Sequence, residues 1–454
     1  MGNTMRDMGL QRSIFDGVIP LKITKPIRLI ELFAGIGAQA KALENLGVNF
    51  EHYRICEFDK YAVASYNAVH GTSFTTSDIT QIHSEDLGII ETDKYEYIMT
   101  YSFPCTDLSK AGKQQGMSRE SGTRSGLLWE VERLLIEITK KGGRLPQILL
   151  MENVPDVLSE KNRKDFFSWC ELLESLGYTS KYAILNAKDF GVPQNRERCF
   201  MLSWLGEDYY YDFPHKQPLV VRLKDVLEPS VDEKYYLSEK TIKYFIQHTQ
   251  ESIEKGNGFR FEPTDGNVVG KTITTRAGSR MDDNFIRCEH IAQLEGDFEM
   301  ANRVYSPEGL CPTIRTMQGG GPIVWDGFDQ SIRKDSSCVG TLTRNCGADL
   351  KRNGQGIIET TKQYSRPHGF NKGGVNESEV FPAVRCSSTE DGNNGVIDGI
   401  RVRKLTPKEC WRLMGFDDES FSRAKKKVSN SQLYKQAGNS IVVDVLMAIF
   451  KNLF

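Results

Sequence analysis

A strand, a glycine-rich turn and a helix follow one another in Arg28-Leu29-Ile30-Glu31-Leu32-Phe33-Ala34-Gly35-Ile36-Gly37-Ala38 and the helical pattern Gln39–Leu46 after it. This order is typical of the opening of a nucleotide-binding βαβ unit and predicts an α/β fold. The glycines allow a ligand to approach the backbone closely, and the helix N-terminus offers unpaired N–H groups. Because the third glycine of a dinucleotide-binding motif is absent, a pyrophosphate site is poorly supported, and a purely structural turn is the alternative.

Length, charge and cysteine content bound the class of protein. A chain of 454 residues is too long for one ordinary core and predicts two domains. A net charge of −2 excludes a uniformly basic nucleic-acid binder but allows a local basic face. The ten cysteines form no CxxC pair and no Cys/His cluster at zinc-ligand spacing, so we expect free thiols and no metal. We also expect no secretory signal and no membrane span, and therefore a cytoplasmic protein.

Acidic residues follow the next predicted strands. The strand Tyr53–Cys56 ends before Glu57, where a carboxylate can accept hydrogen bonds from ribose hydroxyls. Asp59 is expected to cap the helix that follows it. A short strand is predicted around Ser73-Phe74, and Asp78 after it can accept a hydrogen bond from an adenine amino group. A single acidic residue of this kind is more often a helix cap or a turn residue. What supports a ligand site is that such residues follow successive predicted strands.

A thiol and a carboxylate are predicted at the ends of two neighbouring buried strands. The apolar strand Tyr95–Tyr101 is closed by Pro104, which cannot donate to a sheet ladder, and Cys105 follows at the start of a long polar loop. The next buried strand along the chain ends in Glu152. A thiol at such a place can act as a nucleophile if its pKa is lowered, although a lone cysteine is more often structural.

Positive charge is concentrated late in the chain. Arg196 and Arg198 alternate in a segment predicted to be extended, so they would share one face, and solvated surface arginines are the alternative. Residues 401–454 carry eleven Lys/Arg against five Asp/Glu, which suits a phosphate-facing surface, although solvated helix faces would explain it as well. The last helix, predicted over Ile441–Phe450, is so apolar that it should pack on the first domain.

The composition changes between about residues 237 and 399, where Gly, Asn, Asp and short β-prone strings dominate. Four loosely similar units begin with Lys271–Arg276, Pro312–Thr316, Gly340–Arg344 and Pro382–Cys386. They are too irregular for a solenoid. We interpret them as strand–loop–strand pieces of one β-rich domain.

Eight short segments follow one another along the chain in this order: Phe33–Gly37, Glu57 with Asp59–Ala62, Asp78–Thr80, Phe103–Cys105, Glu152–Val154, Gln194–Arg198, Arg403–Pro407 through Met414–Phe416, and Gly438–Ser440. Together and in this order they closely resemble bacterial and phage DNA (cytosine-5)-methyltransferases. The matching pieces span Arg28 to Leu446 and leave out only the middle region, which varies in that family. Each piece alone is a weak signal, whereas the ordered set is very specific.

The resemblance implies a Rossmann-like S-adenosylmethionine-dependent methyltransferase domain, residues 1–235 plus 420–454, with a smaller β-rich target-recognition domain, residues 236–419. It implies methyl transfer to C5 of a flipped cytosine in a specific double-stranded DNA sequence. The residues that would bind the cofactor are Phe33, Ala34, Gly35, Ile36, Gly37, Glu57, Phe58, Asp78, Ile79, Pro104, Asn439 and Ser440. Glu57 would hold the ribose, and Asp78 with Ile79 the adenine.

The resemblance also implies catalytic and DNA-binding residues. Cys105 would attack C6, Glu152 would protonate N3, and Arg198, with Arg196 beside it, would hold the pyrimidine and favour the thiolate. The residues expected to contact DNA are Ser109, Lys113, Arg303, Thr313, Arg315 and Arg403. Two departures from the family pattern flank the nucleophile: Ser102 replaces the usual Gly, and Thr106-Asp107-Leu108-Ser109 replaces the commoner Gln-x-Phe-Ser. Both departures leave the nucleophile Cys105 in place.

Several alternatives stay open at the level of sequence. The middle region can be one recognition domain with a single specificity or, as in some phage enzymes, several recognition units. A tRNA-modifying branch shares the chemistry, but the large middle region argues against it, and intact Cys105 and Glu152 argue against a non-catalytic DNA-binding protein. The biological setting can be restriction-modification, with a cognate endonuclease that need not bind the enzyme, or a phage or orphan enzyme. We expect a monomer.

Overall fold

The chain forms two compact units. In a computed structural model, the described residues are 19–104, 124–256, 258–293 and 399–454, with six short strands between 303 and 395. The first unit comprises Met1–Val226, Val269–Ala277 and Pro407–Phe454, and the second comprises Leu227–Val268 and Gly278–Thr406. These bounds differ from the ranges 1–235 plus 420–454 and 236–419 expected from the sequence. The assignment of catalysis to one unit and DNA recognition to the other stays a prediction.

Strands and helices are numbered in chain order. The strands of the first unit are β1 (Ile19–Pro20), β2 (Ile27–Leu32), β3 (Phe50–Cys56), β4 (Glu96–Tyr101), β5 (Ile148–Asn153), β6 (Tyr178–Asn186), β7 (Gln194–Asn195), β8 (Glu197–Leu205), β9 (Tyr209–Tyr210) and β10 (Gly270–Lys271). Those of the second unit are β11 (Phe285–Gln293), β12 (Arg303–Tyr305), β13 (Trp325–Asp326), β14 (Ser331–Ile332), β15 (Lys362–Ser365), β16 (Gly374–Glu377), β17 (Asn394–Gly395) and β18 (Gly399–Lys404).

The helices are α1 (Ala38–Asn45), α2 (Lys60–His70), α3 (Ser84–Leu87), α4 (Leu128–Lys140), α5 (Arg163–Ser175), α6 (Glu239–Glu254), α7 (Pro407–Arg412), α8 (Asp418–Lys425), α9 (Asn430–Asn439) and α10 (Val443–Lys451). Short 3₁₀ turns occupy Arg124–Leu127, Pro155–Leu158, Ala187–Phe190, Leu223–Val226 and Glu233–Tyr235. Within the described part of the chain, no helix is both long and apolar enough to cross a membrane.

Six strands form the central sheet of the first unit in the order β3-β2-β4-β5-β8-β6. The first four are parallel to one another, and β8 runs antiparallel to both β5 and β6. β4 and β5 are almost entirely buried, as expected for strands covered on both faces. Trp169 of α5 is fully buried on this sheet, and its indole N–H donates to the Tyr101 hydroxyl at 3.1 Å. The parallel strands therefore end at one edge, where ligands collect in such sheets.

The apolar last helix packs within the first unit, as the sequence predicts. α10 lies against α1, and the amide of Asn45 contacts Met447 Sδ at 3.7 Å. The hydroxyl of Tyr211 donates to the Ile449 carbonyl at 2.9 Å. The tail of the chain is thereby joined to the part of the sheet that carries the glycine-rich turn.

The short strand predicted around Ser73-Phe74 does not form. The backbone N–H of Phe74 donates to Asn67 Oδ1 at 2.9 Å, and the Asn67 amide donates to the Phe74 carbonyl at 2.8 Å. A side chain at the end of α2 thus satisfies the backbone groups that a strand partner would have bound. The β-prone residues predicted a strand because this competing partner is invisible in a local pattern.

Residues 269–277 belong to the first unit, although the sequence pattern groups them with the β-rich middle region. β10 pairs in parallel with β7, opposite Gln194 and Asn195. The backbone N–H of Ile273 donates to Gln194 Oε1 at 2.9 Å, and the fully buried Gln194 amide donates to the Leu413 carbonyl at 2.7 Å. The segment Lys271–Arg276, which begins the first of the four similar units, therefore lies in the sheet-bearing unit.

The second unit contains α6 and a small antiparallel sheet in the order β12-β11-β18. Phe245 of α6, Phe285 of β11 and Val402 of β18 form an apolar cluster, with the two phenyl centroids 5.7 Å apart. Arg403 lies opposite Ile286 in the β11–β18 pairing and is fully buried. The prediction that Arg403 contacts DNA does not fit this position, because a fully buried guanidinium cannot reach a phosphate.

Candidate active site

The glycine-rich turn after β2 is held in a left-handed conformation. Phe33, Gly35 and Gly37 have φ angles of 59°, 57° and 79°. The backbone N–H of Phe33 donates to the Cys56 carbonyl at 2.7 Å, which connects the turn to the end of β3. Left-handed backbone is unusual for phenylalanine and costs about 1–3 kcal/mol, so the surrounding structure must impose it. The turn is therefore a pre-formed element at the carboxyl edge of the sheet.

Glu57 connects the glycine-rich turn to the start of α2. Its Oε2 accepts from the Gly35 N–H at 2.9 Å, and its Oε1 accepts from the Asp59 N–H at 2.8 Å. Burial raises the pKa of this carboxyl group, while the backbone hydrogen bonds oppose the shift. Next to it the Phe58 ring is 75% exposed, an unusual exposure for a side chain of this size. Asp59 caps α2 as predicted, accepting from the Tyr61 N–H at 2.9 Å.

Gly37 lies where no side chain fits. A Cβ atom at this position would stand 2.3 Å from His70 Nε2 and 2.6 Å from Tyr66 Cε2. We expect Gly37→Ala to lower the free energy of unfolding by about 2–4 kcal/mol, because overpacking adds to left-handed strain. Binding of a ligand at the turn should weaken as well. Urea denaturation together with ligand titration measures both effects.

The matched control for this prediction is Gly47→Ala. Gly47 has a similar φ of 66°, but a Cβ there would meet nothing within 4 Å. Only the left-handed strain applies, so the expected loss is about 1–2 kcal/mol, with ligand binding unchanged. Equal losses of stability in the two variants would contradict the packing argument.

Asp78 and Ile79 lie beside Glu57, although no strand precedes them. The backbone N–H of Ser77 donates to the Glu57 carbonyl at 3.0 Å, which brings this loop to the end of β3. Asp78 Oδ1 accepts from the N–H and the hydroxyl of Thr80, so it closes its own turn. Ile79 is buried. The predicted position near Glu57 is thus reached by a loop.

Arg196 joins three segments of the first unit through backbone carbonyls. Its guanidinium donates to Ile273 at 3.0 Å, to Gly438 at 3.0 Å and to Ser440 at 2.8 Å, and its side chain is buried. The solvated-arginine alternative is therefore wrong for Arg196. Asn439 and Ser440, which end α9, are positioned by these bonds. Their part of the chain also needs Gly438, since a Cβ there would stand 2.3 Å from the Thr275 nitrogen.

Glu152 and Arg198 form a buried pair at the end of β5. Arg198 Nε lies 3.1 Å from Glu152 Oε1, and both side chains are at most 16% exposed. Burial raises the pKa of the Glu152 carboxyl group, and the nearby guanidiniums of Arg198 and Arg196 oppose that shift. A carboxyl group with a raised pKa can hold a proton at a pH where an ordinary glutamate has lost it, which suits a general acid.

Asn153 connects the end of β5 to the segment before Cys105. Its amide donates to the Phe103 carbonyl at 3.0 Å, and its Oδ1 accepts from the Val154 N–H at 2.8 Å. Tyr101 pairs with Met151, so the two strand ends are adjacent, as the sequence predicts. Cys105 itself lies outside the described residues, directly after Pro104.

The comparisons with known proteins agree on one family. The model of the C-5 cytosine-specific DNA methylases matches residues 27–454. The chain belongs to this family. It is similar to the orphan methyltransferase M.SPBetaI of Bacillus phage SPbeta, with 29% identity over 490 residues that cover 94% of this chain and 97% of that protein. It is also similar to the type II methyltransferase M2.ScrFI of Lactococcus lactis subsp. cremoris, with 29% identity over 475 residues, 94% of this chain and 99% of that protein.

A solved structure supports the fold of this DNA (cytosine-5-)-methyltransferase. The S. pombe Dnmt2 methyltransferase superposes with a TM-score of 0.53 and 18% identity, covering 94% of this chain and 98% of that one. At this identity the likeness shows the fold alone. The Rossmann-like methyltransferase fold predicted from the sequence is confirmed.

The predicted DNA contacts of this methyltransferase are not tested by the geometry, Arg403 excepted. Ser109, Lys113, Thr313 and Arg315 lie outside the described residues. Arg303 begins β12, for which only the backbone pairing is described. These residues remain predictions.

Sequence reasoning missed two features of the methyltransferase unit. The sequence predicts no role for Asn153, whose amide connects the end of β5 to the Phe103 carbonyl. Glu44, His52 and His70 come together from α1, β3 and α2, with ligand atoms within 4.8 Å of one another. Their separations along the chain match no metal-binding motif, so no local signal could have found them.

Proposed function

We propose that this enzyme transfers a methyl group from S-adenosylmethionine to C5 of a cytosine in a specific double-stranded DNA sequence. The family membership gives the reaction class, and the pair Glu152–Arg198 beside the segment that leads to Cys105 carries the mechanistic proposal. When bound, S-adenosylmethionine supplies an electrophilic methyl group on a sulfonium sulfur. The remaining steps belong to side chains of this protein.

The residues at the carboxyl edge of the sheet fit this cofactor. The turn Phe33–Gly37 lets a ligand approach the backbone, and a Cβ on Gly35 would meet no atom within 4 Å. Glu57 can accept from ribose hydroxyls, and the exposed Phe58 ring offers a face for a planar base. Proposed contacts from Asp78, Ile79, Pro104, Asn439 and Ser440 would complete the pocket.

We assign the chemistry of the cytosine ring to two side chains. The Cys105 thiolate adds to C6 while Glu152 gives its proton to N3, so electron density is loaded onto C5. Once C5 carries the methyl group, a base removes the C5 proton, the Cys105 thiolate is expelled from C6, and N3 returns its proton to Glu152, which restores the neutral aromatic ring. A base inside a duplex cannot be reached in this way, so the cytosine must be flipped out.

The two arginines receive different roles. Arg198 contacts Glu152 directly and is proposed to orient it and to favour the Cys105 thiolate by its charge. Arg196 is proposed as a positioning residue, because its guanidinium is bonded to the carbonyls of Gly438 and Ser440. Through them it would hold the cofactor-side residues Asn439 and Ser440.

The experiment that tests the proposal is covalent trapping on DNA. The purified full chain, S-adenosylmethionine and duplex DNA containing 5-fluorocytosine should give a denaturation-resistant protein–DNA adduct. The fluorine atom takes the place of the C5 proton, and a base cannot remove it, so the final elimination is blocked. Labelled methyl transfer to duplex DNA, with tRNA as the comparison substrate, defines the substrate class. An adduct that forms only with tRNA, or no adduct with any substrate, would overturn the proposal.

We further propose one recognition specificity rather than several. Of the four segments that begin the similar units, Lys271–Arg276 belongs to the first compact unit, so we do not count it as a recognition unit. The relatives include both phage orphan enzymes and a type II methyltransferase, so either biological setting is compatible. Methylome sequencing of an expressing host should show one modified motif, and two unrelated motifs would contradict this proposal.

A further inference from the structure

Three metal-ligating side chains converge behind the glycine-rich turn, away from Glu152. His70 Nδ1 lies 2.6 Å and His52 Nε2 lies 3.5 Å from the same atom, Glu44 Oε1. The His70 side chain is fully buried, and those of His52 and Glu44 are 19% and 30% exposed. Two histidines and one glutamate are a ligand set that proteins use for Zn²⁺ with a water in the fourth position.

On each histidine, the ring nitrogen that does not contact Glu44, here called the outer nitrogen, lies next to a hydrogen-bond acceptor. The nitrogen that contacts Glu44 is called the inner nitrogen. His70 Nε2 lies 3.1 Å from the Ile36 carbonyl oxygen, so it must carry the proton. His52 Nδ1 lies 3.1 Å from the Tyr66 hydroxyl oxygen, whose own proton is donated to Glu31 at 2.5 Å. Metal-binding histidines are oriented in this way by outer partners, which leave the inner nitrogens as lone-pair donors.

Both inner nitrogens then face a carboxylate oxygen, and three lone pairs cannot meet without positive charge between them. A proton on His70 Nδ1 would satisfy the 2.6 Å contact with Glu44 alone, whereas a divalent ion would bring all three groups onto one centre. Lys41 Nζ lies 3.6 Å from Glu44 Oε2 and 2.7 Å from Asp417 Oδ2, so the positive charge of Lys41 is shared between two carboxylates. We propose that Glu44, His52 and His70 bind one divalent transition-metal ion, with water as the remaining ligand.

Binding of one ion requires the three ligand atoms to adopt tetrahedral separations. Two ligands on a tetrahedral zinc ion lie about 3.3 Å apart, given metal–ligand bonds of about 2.0–2.1 Å. The separation between His52 and Glu44 already has this value within a few tenths of an ångström, and that between His70 and Glu44 must lengthen by about 0.7 Å. The two inner histidine nitrogens lie within 4.8 Å of each other and must approach to about the same 3.3 Å. An adjoining cavity of about 230 Å³, lined by Glu44 and His70 among others, has room for the water.

The ion would brace the cofactor-binding turn. His70 connects the metal ligands to the carbonyl of Ile36, which stands between Gly35 and Gly37 in the turn. The expected role is structural, because none of the three ligands is among the residues to which we assign the chemistry of the cytosine ring. The inference does not depend on the proposed chemistry, since metal binding is measured without turnover.

The experiment measures Zn²⁺ binding by the full chain after removal of metal with a chelator. Competition against a coloured zinc chelator, followed by elemental analysis after gel filtration, should show one tightly bound Zn²⁺ that is lost in Glu44→Gln and His52→Gln. Tyr66→Phe removes the outer acceptor of His52 together with the hydrogen bond to Glu31 and keeps all three ligands, so the affinity for Zn²⁺ should fall by about 10- to 100-fold. The visible absorption bands of the Co²⁺-loaded protein should change in the same variants.

The matched control is His83→Gln. His83 also contacts a glutamate, with Nδ1 3.1 Å from Glu137 Oε1, but it has no second histidine beside it and is 65% exposed. This variant should keep the full equivalent of Zn²⁺. Circular dichroism verifies that each variant is folded. The proposal is overturned if the parent binds Zn²⁺ no more tightly than folded Glu44→Gln, or if His83→Gln loses as much metal as His52→Gln.

Discussion

Replacing Cys105 with serine is expected to lower the rate of methyl transfer to duplex DNA by at least about 1,000-fold. A serine hydroxyl has nearly the same size as the thiol, but it is far less acidic and gives almost no alkoxide at neutral pH. Without an anion to add at C6, C5 of the cytosine stays a poor nucleophile. Binding of S-adenosylmethionine and DNA should persist, because the substitution removes a reactive atom and little volume. Single-turnover transfer of labelled methyl groups measures the effect.

Cys170→Ser is the control for this experiment. Cys170 is a partly buried thiol on α5 whose Sγ contacts Met201 Sδ at 3.8 Å, and burial raises its thiol pKa to about 12. It is one of five free cysteines among the described residues. The variant should keep parental activity and form the 5-fluorocytosine adduct. A Cys105→Ser enzyme that works at the parental rate would end the covalent mechanism, whatever the control does.

Much of the first unit could be predicted because its signals are local. β2, the glycine-rich turn and α1 are read from one continuous stretch, and Asp59 caps α2 through a contact two residues away. The adjacency of Glu152 to the end of β4 followed from a general rule, since consecutive buried strands in a parallel sheet commonly pair. The ordered motifs then identified the family, which the family model confirms over residues 27–454.

The failures concern partners that are distant in the chain. Arg196 and Arg198 alternate in sequence, yet one donates to the carbonyls of Gly438 and Ser440 and the other contacts Glu152. Periodicity predicts which residues share a face but not what covers that face. Likewise, the family resemblance implied a DNA contact for Arg403, whereas the structure buries this residue opposite Ile286. Such outcomes depend on tertiary packing, which overrides local pattern.

The Glu44–His52–His70 cluster illustrates the same limit in a functional setting. Glu44 lies on α1, which follows β2, whereas His52 lies on β3 and His70 on α2, which follows β3. The pairing of β3 with β2 brings these elements together. A motif search needs fixed spacing within one element or loop, and none exists here. Clusters of this kind become visible only after the sheet order is known.

Glu152→Gln is expected to lower kcat for methyl transfer by about 100- to 10,000-fold, the range for loss of a general acid. The glutamine amide can still donate a hydrogen bond to N3, but it cannot give up a proton there. Its Oε1 can keep the contact with Arg198, which lies 3.1 Å from the present carboxylate oxygen. Cofactor and DNA affinities should therefore change little. Pre-steady-state kinetics separate the chemical step from binding, and a variant with parental kcat would remove Glu152 from the mechanism.

The same substitution should stabilise the protein, and increasingly so as pH rises. Burial raises the pKa of Glu152 in the folded state, so folding favours the protonated form. The stability that this preference gives the parent is fully present below the ordinary glutamate pKa of about 4.3. It is lost as pH rises through the pKa of Glu152 in the folded state, whereas glutamine has no proton to lose. The Tm of Glu152→Gln relative to that of the parent should be higher at pH 8 than at pH 4. A buried acid kept for packing would show the opposite, a variant that is less stable at every pH, so higher stability with lost activity is the signature of a carboxyl group retained for its proton.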